Sequence, residues 1–195
     1  MILIHKVLPT TVVGSYPVVR RPSLRSLIDP LKSAVETAVT DQLSAGIDII
    51  SDGQVRGDMI TTFASKLPGV RGQQVVGKVL PPERPITVPD TRYAISRHPW
   101  VKGILTGPST LAHALQIATP VYRDRADLIL DLAQALAYEA KALQDAGVTV
   151  IQIDEPIFST GAADLATGAQ ALQILTSLLQ KPVVLHVCGA LVGVI

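Results

Sequence analysis

A histidine and a cysteine stand two residues apart near the end of the sequence, in His186-Val187-Cys188. Residues i and i+2 of a strand point to one face. An imidazole and a thiolate would therefore converge there, the donor types that zinc takes. The same pair also reads as a buried cysteine beside a core histidine, because zinc needs three or four protein ligands. His5, His98 and His113 show no zinc-ligand spacing, and His113, beside apolar residues on a predicted helix, reads as structural. Upstream, Asp154-Glu155-Pro156 puts two carboxylates at the end of the run Val150-Ile151-Gln152-Ile153. Strand side chains alternate, so at most one of the two faces an interior axis. Asp154 or Glu155 can bind an ammonium group or take a proton; the other reading is a helix-entry cap or an ion pair. Asp52-Gly53-Gln54-Val55-Arg56-Gly57-Asp58 alternates charges between glycines. Gly14-Ser15-Tyr16-Pro17 and Thr106-Gly107-Pro108-Ser109-Thr110 offer hydroxyls and backbone N–H groups to a carboxylate, or form ordinary turns with caps.

The elements that must position these groups alternate between strand and helix. Strand patterns cover Thr11–Val13, Ile47–Ser51, Val101–Leu105, Val148–Ile153 and Val183–Gly189. Asp29-Pro30 opens a helix that Gly46 stops, and further helices run from about Asp124 to Asp145 and from Asp164 to Leu179. Ser109 or Thr110 can cap a short helix after the third strand. Residues 68–99 carry six prolines and read as an irregular insertion, a lid or flap with a hairpin at Gln74–Leu80. Nearly all-apolar strands separated by helices predict a parallel sheet covered on both faces. A barrel and a doubly wound sheet both fit, although no G-x-G-x-x-G follows the first strand. The polar residues gather after each strand, at the end where such folds place their sites.

Composition removes several function classes. Hydrophobic residues make up 48% and charged residues 17%, with 17 basic against 16 acidic and a net charge of +1. Low charge with a mean hydropathy of +0.37 predicts much buried surface rather than disorder. No nucleic-acid partner is indicated by that balance, and no apolar run is long enough for a membrane span. The start Met1–Ile4 is broken by His5 and Lys6 and does not read as a signal peptide. Cys188, the one cysteine, excludes an internal disulfide and suits a reducing cytoplasm.

Together, Thr11-Val-Val-Gly-Ser-Tyr-Pro17, Asp52-Gly-Gln-Val-Arg-Gly-Asp-Met59, Lys102-Gly-Ile-Leu-Thr-Gly-Pro108, Ile151-Gln-Ile-Asp-Glu-Pro156 and His186-Val-Cys188 resemble the catalytic domain of cobalamin-independent methionine synthase, in its short single-domain form. Pro85-Ile-Thr-Val88 also looks like that family's segment before the third strand. The resemblance implies an α/β fold of the (β/α)8 TIM-barrel type and zinc-assisted methyl transfer to the thiol of homocysteine, forming methionine. By it, His186 and Cys188 look like zinc ligands, Ser15 like the holder of the substrate carboxylate through its backbone N–H, and Asp154 like the receiver of the ammonium. Gln54 stands where larger members carry a Glu that also holds the ammonium. The implied methyl donor is a methylated corrinoid on a partner protein, or a methyl-folate.

With 195 residues against the ~250 of a typical barrel, the sequence reads as one domain holding about five of eight β/α units, an incomplete barrel. The family's other two zinc ligands belong to later strands. Alternatives from other classes are methyl transfer to a different thiol such as coenzyme M, a uroporphyrinogen-decarboxylase-like relative, and a truncated, inactive fragment with an open edge prone to self-association.

Overall fold

The computed structural model describes residues 8–20 and 28–190; His5 and the start of the chain lie outside the described residues. In chain order the elements are α1 (Lys32–Ser44), α2 (Thr61–Ala64), β1 (Val70–Arg71), β2 (Gln74–Val75), α3 (Val88–Arg97), β3 (Lys102–Thr106), α4 (Pro108–Ala114), β4 (Gln116–Ile117), α5 (Arg125–Ala146), β5 (Val150–Asp154), a 3-10 turn at Pro156–Thr160, α6 (Leu165–Thr176) and β6 (Val183–His186).

Parallel pairing follows chain order. Thr11 bridges Ile49, Ile50 bridges Val101, β3 pairs with β5, and β5 pairs with β6. A doubly wound sheet reverses its strand order at a switch point. No reversal occurs here, so the strands line up as in the wall of a β/α barrel. The first two predicted strands contribute these single bridges rather than full ladders.

Alternation along the strands separates two environments. Leu105, Ile151 and Ile153 point outward and pack with Leu128, Leu132 and Leu136 of α5 and Leu175 of α6. Each such side chain contributes about 1.5–3 kcal/mol when fully buried. The other face of the same strands carries Lys102, Gln152 and Asp154, all buried as well. Both ends of α5 and the start of α6 follow their sequence signals. Asp124 accepts from the Asp127 N–H, Gly147 stops α5 in a left-handed conformation, and Asp164 caps α6.

Three local expectations are corrected. Asp29 does not cap a helix starting at Pro30: α1 begins at Lys32, and the Asp29 carboxylate, besides accepting from the Leu31 N–H, takes both ends of the Arg56 guanidinium. The hairpin is β1–β2, at residues 70–75 rather than 74–80, and β2 adds a parallel partner in β4. Residues 88–97 form α3, because Pro89 fits the first turn of a helix. The buried Glu139 of α5 reaches the start of that helix, accepting from the N–H groups of Ile86 and Thr87 and from the Thr87 hydroxyl.

Candidate active site

Strand register brings the first group of residues together. Asp154 stands opposite His186 across the β5–β6 ladder, and Gln152 shares the Asp154 face two residues earlier. Asp154 Oδ1 lies 2.9 Å from His186 Nδ1 and accepts from Gln152 Nε2 at 2.6 Å. His186 Nε2 lies 3.3 Å from Cys188 Sγ. Asp154 Oδ2 has no protein partner among the described residues, so one carboxylate oxygen is held and the other is open.

The His186–Cys188 pair fits a zinc ion. Two ligands of a tetrahedral zinc stand about 3.5 Å apart, close to the observed separation. The Asp154 contact also anchors the other imidazole nitrogen, as a carboxylate does behind many metal-bound histidines. No group of three or more metal-ligating side chains occurs among the described residues.

Glu155 goes elsewhere. Its carboxylate turns away from Asp154 and accepts from the N–H groups of Ser109 and Thr110 and from the Thr110 hydroxyl, at 2.7–2.8 Å. It caps α4 from just beyond the end of β5, so neither Ser109 nor Thr110 supplies the cap that the local sequence suggests. Burial pushes the Glu155 carboxyl above its ordinary range, and these donors pull it back. Both oxygens are spent on the helix N-terminus, which leaves Asp154 as the carboxylate facing His186.

The second group lines a cavity of about 350 Å³ that includes Ser15, Tyr16, Asp52, Gln54, Arg56 and Met59. The Ser15 hydroxyl lies 3.5 Å from Gln54 Oε1. Its backbone N–H has no acceptor among the described residues. Gly14 makes this approach possible, since a Cβ there would lie 2.6 Å from Gln54 Oε1 and 2.8 Å from Ile104 Cδ1. Gln54 holds a φ of +48°, uncommon for a residue with a side chain, and its N–H donates to Asp52 Oδ1 at 3.0 Å. Such backbone strain collects at binding sites. Asp52 is buried, which pushes its carboxyl up to about 6. Arg56 at the rim is clamped by both Asp29 and Asp90. Asp58 accepts from the N–H groups of Ile60 and Thr61 at the start of α2 and is spent as a cap.

Residues 12–15 join the two groups. The Val13 carbonyl accepts from Gln152 and Lys102, while Ser15 reaches Gln54. Lys102 and Gln152 received no role from the sequence, although a lysine opening a strand in a barrel wall and a glutamine inside Val150–Asp154 were the available signals. His113 is structural, as expected: its ring nitrogens lie 2.8 Å from the Ser109 carbonyl and 3.2 Å from that of Ala162. No helix among the described residues is long and apolar enough to cross a membrane.

Comparison with known proteins identifies the family. The family described as cobalamin-independent synthase, catalytic domain, matches residues 8–195. A methionine synthase of Methanothermobacter marburgensis is 45% identical over 95% of this chain and 67% of its own length. That of Methanocaldococcus jannaschii is 42% identical over 95% of this chain and 65% of its own length. Among solved structures, a B12-independent methionine synthase from Shewanella sp. W3-18-1, in complex with selenomethionine, superposes with a TM-score of 0.81 at 29% identity, over 94% of this chain and 62% of that one. The chain thus spans about two thirds of the length of the relatives it matches. Matched along nearly all of its own length, this chain belongs to the cobalamin-independent methionine synthase family of enzymes, through the catalytic domain.

Proposed function

We propose that this chain provides the homocysteine-binding part of a methyltransferase that moves a methyl group to the homocysteine thiol and releases methionine. One observation carries the reading: Asp154 holds His186 with one oxygen and leaves the other open, while the far side of the same imidazole reaches Cys188. The open oxygen suits the ammonium of an amino acid. The Ser15 N–H and the strained Gln54, on the adjoining loop, suit its carboxylate and ammonium ends. That a related enzyme is solved with selenomethionine, an amino acid of the product type, supports the assignment.

His186 and Cys188 are the residues of this chain that would hold zinc. The chemistry supplied by zinc, when bound, is the positive charge that keeps a thiol deprotonated yet nucleophilic near neutral pH. The protein's own part is to fix the imidazole through Asp154, to orient the amino acid by both of its charged ends, and to keep Glu155 out of the site. Residues 8–190 are read as units of a β/α barrel. The outer edge of β6, where Val184 and Leu185 are nearly half exposed, is where further β/α units or a second copy would add. The methyl donor is read as a methylated corrinoid carried by a protein, or a methyl-folate, and the compartment as the reducing cytoplasm.

The test is methyl transfer from methylcobalamin and from methyl-folate, each offered homocysteine or coenzyme M, with zinc content measured on the same preparation. Methionine formation with preference for homocysteine is expected. Equal or better use of coenzyme M would overturn the amino-acid assignment.

A further inference from the structure

We propose that Asp52 is a positioning residue for the amino-acid site: its carboxylate accepts from the Gln54 backbone N–H, holds residue 54 in a left-handed conformation, and so aims the Gln54 side chain at Ser15. This rests on the reading that Gln54 and Ser15 meet the substrate amino acid.

The turn after Ile50 is held residue by residue. Gln42 of α1 accepts from the Ser51 N–H at 2.8 Å and donates to the Ser51 carbonyl at 3.0 Å. The Gly53 N–H donates to Ser51 Oγ at 3.2 Å, and the Gly53 carbonyl accepts from the Tyr16 N–H at 2.8 Å. Gly53 takes its φ of +84° at little cost, having no Cβ. Gln54, at +48°, has one, and a Cβ disfavours that region by roughly tenfold. The tie on the Gln54 N–H is Asp52 Oδ1, at 3.0 Å. Released to an ordinary negative φ, Gln54 would swing its side chain away from the Ser15 hydroxyl, which lies 3.5 Å from Oε1, and out of the space that Gly14 leaves for it.

The carboxylate is itself backed. Asp52 is 8% exposed, and its Oδ2 lies 3.4 Å from the hydroxyl of Thr91, a buried residue of α3. The proline-rich segment that carries α3 thus stands behind the turn. Nor is Asp52 spent on an ion pair. Arg56, the cation nearby in sequence, is taken by Asp29 and Asp90. What remains for the Asp52 carboxylate is the backbone of residue 54, so it acts on the amino acid through Gln54.

The test uses the intact, 15N-labelled chain and two readouts. The first needs no ligand: relaxation of the Gln54 side-chain NH2, identified by its loss in Gln54→Gly, reports whether that side chain is held. An ordered NH2 is expected in wild type and a mobile one in Asp52→Ala. Asp52→Asn keeps an acceptor at Oδ1 and should restore the order. A mobile NH2 in wild type overturns the proposal whether or not a variant folds. So does an unchanged NH2 in folded Asp52→Ala, or no rescue in folded Asp52→Asn. Should Asp52→Ala alone fail to fold, adding Gln54→Gly is expected to recover folding, because glycine takes the left-handed conformation unaided. An unfolded double variant would overturn the proposal by giving Asp52 a wider structural task. The second readout is calorimetric titration with methionine. Asp52→Ala should weaken binding roughly tenfold in wild type and add no loss in the Gln54→Gly background. An equal loss in both backgrounds would put Asp52 itself on the ligand and overturn its action through Gln54. If wild type binds no methionine, the amino-acid reading fails, while the NH2 readout still decides whether Asp52 positions Gln54.

Discussion

Asp154 and His186 face each other as register partners of adjacent parallel strands, and their side chains meet at 2.9 Å. The contact needs no loop to adjust it. It is set by two neighbouring strands whose pairing is fixed by backbone hydrogen bonds on both sides. The Gly107 N–H donates to the Asp154 carbonyl, and the Glu155 N–H donates to the His186 carbonyl. A site residue carried on a strand in this way is held more firmly than one on a flexible turn.

Asp154→Asn tests the open oxygen. The amide keeps one acceptor for Gln152 and His186 but places an NH2 where the ammonium would sit. Hydrogen bonds to charged groups contribute about 1.5–3 kcal/mol, so homocysteine or methionine binding should weaken roughly 10- to 100-fold. Calorimetric titration measures it. Unchanged affinity would remove Asp154 from the amino-acid site.

Gln54→Glu adds a charge at the cavity beside Ser15. If Gln54 faces the substrate ammonium, binding should tighten by about 1 kcal/mol, roughly fivefold. Stability should change little, since both residues bear the same φ of +48° at similar cost. Weaker binding in the same calorimetric experiment would place the ammonium away from residue 54.

Glu155 and Gly107 form one structural unit. Glu155→Ala strands the N–H groups of Ser109 and Thr110 and should cost about 2–4 kcal/mol in urea denaturation. A Cβ at Gly107 would lie 2.3–2.4 Å from the Glu155 side chain, so Gly107→Ala should displace the same cap. The two losses should not add, because each removes one contact set. Full additivity in the double variant would show that Gly107 serves a separate purpose.

Asp52 gives the chain a pH dependence of known sign. Its carboxyl is raised by burial from 3.8 to about 6. The folded chain therefore holds a proton between those values that the unfolded chain has lost, so this group makes stability fall as pH rises through that window. Asp52→Asn should flatten the slope and stabilise the chain near neutral pH by about 1–3 kcal/mol. Denaturation midpoints at pH 4, 5, 6 and 7 should differ less in the variant than in wild type; an equal or steeper slope would assign the effect elsewhere.

Much of this architecture was legible in local patterns. Asp124 and Gly147 bound α5, and Asp164 starts α6, because caps and stops act through backbone N–H and C=O groups a few residues away. The apolar strands foretold burial on both faces, and β3 and β5 are buried throughout. What local patterns missed depends on distant partners. Pro89 starts α3 where a run of prolines suggested irregular chain, and Glu139 from α5 completes its N-terminus. Glu155 caps α4 across 45 residues of sequence, a contact that no window along the chain contains.

By itself the sequence determined the residue types, their order and their period. These place Asp154, His186 and Cys188 at strand ends and make the family recognisable from its motifs. Only the tertiary structure decided which of two adjacent carboxylates faces His186, and that Lys102 and Gln152 stand behind Asp154. The physical reason is that a strand's alternation says two neighbours point opposite ways but not which way is inward. That choice belongs to the register between strands and to the helices packed outside them.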